Sequence, residues 1–141
     1  MTKARLLKIG MGVSDQCVFC QHGLETRDHL FIYYPITTEI WRKIQRITGR
    51  RDIVQGWQHE VQTSLKRSRQ NNQKKQILGA LFSSYIANVL YERNLRIFEN
   101  RSRDVASISR AIVMDVARRL VHPHYKAKFQ KWAGLVDCMV C

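Results

Sequence analysis

Apolar residues recur at helical spacing along most of the chain, and the pattern predicts a mostly α-helical protein. Residues 2–13 carry a short helical pattern through Leu6, Leu7 and Ile9 that ends at Gly10 or Gly12. Pro35 breaks the chain. Thr37 or Thr38 then caps a helix that runs to about Thr48 and stops at Gly49. Ile40, Trp41, Ile44 and Ile47 make its apolar face, with Arg42, Lys43 and Arg46 off that face. In residues 49–75, Ile53, Val54, Trp57, Val61 and Leu65 permit one amphipathic helix, weakened by Gly56. Residues 76–98 predict the longest helix. Its broad stripe of Ile77, Leu78, Leu81, Phe82, Tyr85, Ile86, Val89 and Leu90 suits the centre of a core, and Glu92 can pair with Arg96 at i, i+4. Phe82 and Tyr85 fall on this stripe and are expected to pack, not to stack on bases. Ser102 is expected to cap a last helix over about 103–121, with Val105, Ile108, Ile112, Val116 and Leu120 inward and Arg118 and Arg119 in its final turn. His122 before Pro123 ends it, and Phe129 and Trp132 provide one docking turn in the tail. No domain boundary stands out, so residues 1–141 are expected to form a single domain.

Charge adds a partner class. Twenty-four Lys and Arg against eleven acids give +13, which favours a polyanion: nucleic acid first, an acidic membrane or protein second. No acid occurs from Val61 to Tyr91, and within that interval Lys66, Arg67, Arg69, Lys74 and Lys75 crowd into ten residues. This is the best phosphate-contact patch in the sequence. Its plainer reading is a solvated connector, an exposed loop or helix start. The first residues lack the apolar run of a signal peptide, and the longest uncharged apolar stretch, Ile77 to Tyr91, is short for a bilayer. The expectation is an intracellular protein of nucleus or cytoplasm, with no membrane contact.

Candidate chemistry lies in CVFCQHGLETRDHLFIYY, Cys17 to Tyr34. Cys17 and Cys20 sit on one tight turn and His29 follows, a spacing that lets two thiolates and an imidazole converge on one tetrahedral zinc ion. A closed structural site needs a fourth ligand. His22, Glu25, Asp28, Cys138 and Cys141 are the available groups. A complete site can contribute ~10 kcal/mol or more to a small fold. The plainer reading leaves two Cys and a His in a turn, with the helices holding the fold. Phosphate-binding Gly-rich loops, a nucleophile elbow and a two-metal carboxylate cluster are all missing from the sequence. A redox Cys17/Cys20 pair is weakly supported, because no βαβ pattern surrounds it.

Three segments together resemble a known family. TKARLLKIGM, then SDQCVFCQHGLETRDHLFIYYPIT with Trp41, then YERNLRIF are similar to the zinc-binding module at the C-terminal end of plant non-LTR (LINE-type) retrotransposon reverse transcriptases. The resemblance covers about residues 2–98, leaving 99–141 as a C-terminal helical extension. It implies Cys17, Cys20 and His29 as metal ligands and places the fourth at position 34, here Tyr34. The chain resembles a truncated, degenerate copy: it begins inside the module, carries Leu90 where the family has Trp, and lacks the reverse-transcriptase domain with its Tyr-x-Asp-Asp motif. Nothing in the resemblance therefore implies polymerase activity for this chain.

The combined expectation is a small helical domain with an N-terminal Cys/His zinc-knuckle-like turn. It would act as a non-catalytic module binding zinc and holding RNA or DNA through phosphate contacts, by charge and shape without base readout. The other reading is a helical remnant that serves as a protein-interaction module or has no activity.

Overall fold

The structure is a computed structural model that describes residues 2–50 and 54–121. Five α-helices follow one another: α1 (Lys3–Lys8), α2 (Pro35–Ile47), α3 (Trp57–Ser68), α4 (Gln73–Asn94) and α5 (Val105–Val121). Two π-helical turns, His29–Tyr33 and Leu95–Glu99, precede α2 and extend α4. Among the described residues the β-structure is one isolated antiparallel bridge, Gln16 to Leu24, which closes the Cys/His loop. No described helix is long and apolar enough to cross a membrane.

The long helix is central, as its broad apolar stripe predicts. Ile77, Leu78, Leu81, Phe82, Tyr85 and Val89 of α4 are all buried. They meet Leu30, Phe31 and Ile32 of the π-turn, Ile40, Trp41 and Ile44 of α2, and Ile108, Ile112 and Val116 of α5. Trp41 lies 5.1 Å from both Phe82 and Tyr85 by ring centroids, and Phe31 stacks on Trp57 at 4.6 Å. Phe82 and Tyr85 are thus packing residues, with no face left for a base. The Tyr85 hydroxyl donates to the carbonyls of Phe31 at 2.6 Å and Thr37 at 3.1 Å, tying α4 to the start of α2. Burial pushes its phenol well above the usual range.

Helix ends follow local chemistry, with three differences from the sequence reading. Pro35 does not merely break the chain. It is the first residue of α2, where a missing N–H costs nothing. Thr37 and Thr38 lie inside the first turn, and both hydroxyls donate to the Tyr34 carbonyl. Asp104, not Ser102, starts α5, its carboxylate accepting from the Ser107 N–H at 2.6 Å. That bond holds the Asp104 carboxyl below its usual range. At Gly49, which ends α2 as predicted, φ is +69°. Gly56 does not interrupt α3 but precedes it, at φ +127°, and its N-terminal N–H on Trp57 is capped from a distance by Asp28 at 2.9 Å. Gly79 on α4 faces Ser64 and Ser68 of α3, so the two helices approach closely there.

Among the described residues, buried carboxylates tie the elements, Glu60 and Glu92 here and Glu25 at the Cys/His loop. Glu60 of α3 accepts a two-nitrogen bond from Arg50 at 3.0 Å each and one from the Trp41 indole at 3.2 Å. Glu92 of α4 accepts from Arg96 at 2.9 Å, the predicted pair, and from Arg103. Burial would raise the Glu92 carboxyl, but the Arg103 N–H and then the Arg96 and Arg103 guanidiniums outweigh it and hold it below its usual range. The predicted tail turn at Phe129 and Trp132, with His122 and Pro123, lies outside the described residues.

Candidate metal centre

The Cys/His loop is built between α1 and the first π-turn. The Cys17 N–H donates to Gly23 O at 2.7 Å and the Gln21 N–H to Cys17 O at 2.8 Å, so Val18–Phe19–Cys20 wraps into a tight knuckle. Gln21 leaves it at φ +58°, a left-handed conformation that a non-glycine residue adopts at some cost. His29 opens the π-turn, whose closing bond runs from the Tyr34 N–H to His29 O at 2.8 Å. This turn carries the imidazole back over the knuckle.

The structure brings the three predicted ligands together. The ligand atoms of Cys17, Cys20 and His29 all lie within 4.8 Å of one another, and Cys20 Sγ is 3.3 Å from His29 Nε2. Zinc bonds of about 2.3 Å to sulfur and 2.0 Å to nitrogen put tetrahedral ligands about 3.6–3.8 Å apart, so small side-chain shifts suffice to seat an ion. Both thiols are free, with Cys17 buried and Cys20 half-buried. Burial pushes the Cys17 thiol up, against the lowering by the backbone N–H groups of Cys20 and Phe19. The two-sulfur, one-nitrogen donor set fits zinc with one coordination position left over.

The groups considered for that position have other work. Glu25 is fully buried and accepts from Arg93 Nε at 3.0 Å, Arg93 Nη2 at 2.7 Å and the Lys3 N–H at 2.8 Å. Asp28 caps α3. His22 is exposed and its Nδ1 faces the Cys20 carbonyl. Tyr34 is buried beside the knuckle, its ring stacked on Phe19 at 5.1 Å and its hydroxyl donating to Phe19 O at 3.3 Å. Cys138 and Cys141 lie outside the described residues.

Sequence reasoning missed what holds the knuckle. Arg93 reaches Glu25 from α4, and the Arg96 guanidinium lies 4.7 Å from the centre of the Phe19 ring, on the ring that Tyr34 also covers. The signal was present in the segment YERNLRIF: Glu92, Arg93 and Arg96 fall on adjoining turns of one helix, in a chain where acids are scarce.

The predicted phosphate patch is divided by the fold. Lys66 and Arg67 end α3, Arg69 is its C-cap, and Lys74 and Lys75 open α4 after the Asn72 cap. Lys66, Arg69, Lys74 and Lys75 are exposed. Arg67 is half-buried with its Nη1 atom enclosed.

A family model described as zinc-binding in reverse transcriptase matches residues 1–41. The match spans α1, the knuckle, the π-turn and the first half of α2, and stops at Trp41, before the Glu92–Arg96 segment. Comparison with curated proteins and with solved structures gave no significant match. The family match and the convergence of Cys17, Cys20 and His29 both fit a zinc-binding module at this end of the chain.

Proposed function

We propose that the chain is a non-catalytic module that binds one zinc ion through Cys17, Cys20 and His29 and holds nucleic acid through phosphate contacts. The observation that carries the zinc reading is the approach of the three ligand atoms to within 4.8 Å of one another. The nucleic-acid reading is supported by the net charge of +13 and by the exposed Lys66, Arg69, Lys74 and Lys75 at the α3–α4 junction. The resemblance to LINE-type retrotransposon reverse transcriptases points to template RNA or target DNA as the ligand. The knuckle's role is structural: it fixes α1 and the π-turn against α4, and the bound ion would hold two thiolates and an imidazole in register.

Elemental analysis of the purified chain should give about one zinc per molecule, and Cys20→Ser should lose it. Anisotropy with a labelled RNA should show affinity falling steeply between low and moderate salt. No zinc in a folded protein would refute the metal reading. A flat salt response would refute the phosphate reading.

A further inference from the structure

A second basic surface lies on the outer side of α2. Tyr33, Pro35, Thr38, Glu39, Arg42, Lys43 and Arg46 line a groove of 510 Å³. Arg42 and Arg46 stand one helical turn apart, about 6 Å along the axis, with Lys43 beside them. All three are exposed, and no ion pair or hydrogen bond ties their side chains to another described residue. Glu39 is the one acid among the lining residues.

Tyr33 lines this groove and is 60% exposed. Its hydroxyl end is held near Gly56, where a β-carbon would come within 3.6 Å of it. Gly56 also lines a second groove, of 710 Å³, whose cations are Arg5, Lys8 and Arg27. Their side chains are likewise exposed and untied to described residues, with Asp28 the acid that faces them. Tyr33 thus stands between two basic grooves. At the other end of α2, Lys74 of α4 comes within 3.6 Å of where a Gly49 β-carbon would lie, and the Gly49 N–H is bonded to Arg46 O. The α2 groove therefore adjoins the α3–α4 patch.

We infer that a single nucleic-acid strand binds across the outer face of α2, with one unpaired base stacked on Tyr33 and its phosphates on Arg42, Lys43 and Arg46. The inference rests on the nucleic-acid reading above and names the form it takes. An open aromatic ring flanked by unpaired cations is the combination that single-strand binders use, since every base offers a π-face and every linkage a negative charge. A duplex keeps its interior bases paired and stacked on one another, and leaves the ring only its terminal pairs.

The test uses the full chain with a labelled single-stranded RNA and a blunt duplex of the same sequence, by fluorescence anisotropy across a salt series. Tyr33→Ala should weaken single-strand binding about 5-fold or more, and Tyr33→Trp should restore it. Duplex binding should barely change in either. Arg42→Gln with Arg46→Gln should flatten the salt dependence by about 1.4 in the log–log slope, two contacts at about 0.7 each. Circular dichroism keeps folding in view for these exposed positions. If the wild type binds neither RNA, both readings fall. If Lys66→Glu with Arg69→Glu abolishes binding while the α2 and Tyr33 variants bind normally, the groove is refuted and the α3–α4 patch stands. If Tyr33→Ala weakens duplex and single strand equally, base stacking is refuted.

Discussion

Glu25→Gln should destabilise the domain by about 3–5 kcal/mol, the cost of leaving a buried charge without its partner. The magnitude follows from the site. The Glu25 carboxylate is fully buried, and both Arg93 nitrogens reach one oxygen at 3.0 and 2.7 Å while the Lys3 N–H reaches the same oxygen at 2.8 Å. Glutamine preserves the shape but removes the charge, and Arg93, whose side chain is 11% exposed, cannot recover full hydration. Against a total stability of roughly 5–15 kcal/mol, that loss is large. Urea unfolding at pH 7, followed by far-UV circular dichroism, would measure it. The loss should persist with a chelator present, because the pair lies outside the ligand set. Zinc content of the folded variant should be unchanged for the same reason. Arg93→Met combined with Glu25→Leu should recover much of the loss, since a buried pair replaced by apolar side chains is often neutral. A cost below about 1 kcal/mol would refute the argument, as would zinc loss from an otherwise folded Glu25→Gln protein.

Two further outcomes are expected. The Glu92 carboxyl is held below its usual range, so its contribution is complete above about pH 4.3, the ordinary value for a glutamate, and is lost as pH falls through the lower folded value. Glu92→Gln should therefore flatten the fall in melting temperature between about pH 5 and pH 2; an unchanged acid limb would show that the Arg96 and Arg103 contacts do not stabilise the anion. Gly79→Val should cost about 1–3 kcal/mol in denaturant unfolding, because a side chain there runs into Ser68 and the Ser64 carbonyl of α3. A neutral result would mean that α3 and α4 can separate at that point.

Elements set by local pattern were legible in the sequence. The core stripe of α4, the stop of α2 at Gly49 and the Glu92–Arg96 pair each depend on residues a few positions apart. The convergence of Cys17, Cys20 and His29 was legible for the same reason, as twelve residues of spacing nearly dictate it. Contacts between distant segments were not. Glu25 and Arg93 are 68 residues apart: YERNLRIF shows Arg93 beside Glu92 and Arg96, but local spacing does not say which distant carboxylate Arg93 meets. Arg42, Lys43 and Arg46 lie off the apolar face of α2 by spacing alone, and only the fold places Tyr33 in their groove.

Position 34 shows how these two kinds of information combine. The resemblance puts the fourth zinc ligand there, and a ligand at that place would join the start of α2 to the knuckle through the ion. Tyr34 makes the same connection without metal: its ring lies on Phe19, within the Cys17–Cys20 turn, and its hydroxyl reaches the Phe19 carbonyl. Arg96 closes over the Phe19 ring, and Arg93 holds Glu25 on the segment that returns from the knuckle. A stacked ring, a hydrogen bond and a buried ion pair thus brace a loop that three ligands alone would hold less firmly. The loop's shape should accordingly depend less on zinc than in a four-ligand knuckle. In such a chain the metal would tighten the ligands' spacing, while the docking of the knuckle on α4 would come from the protein.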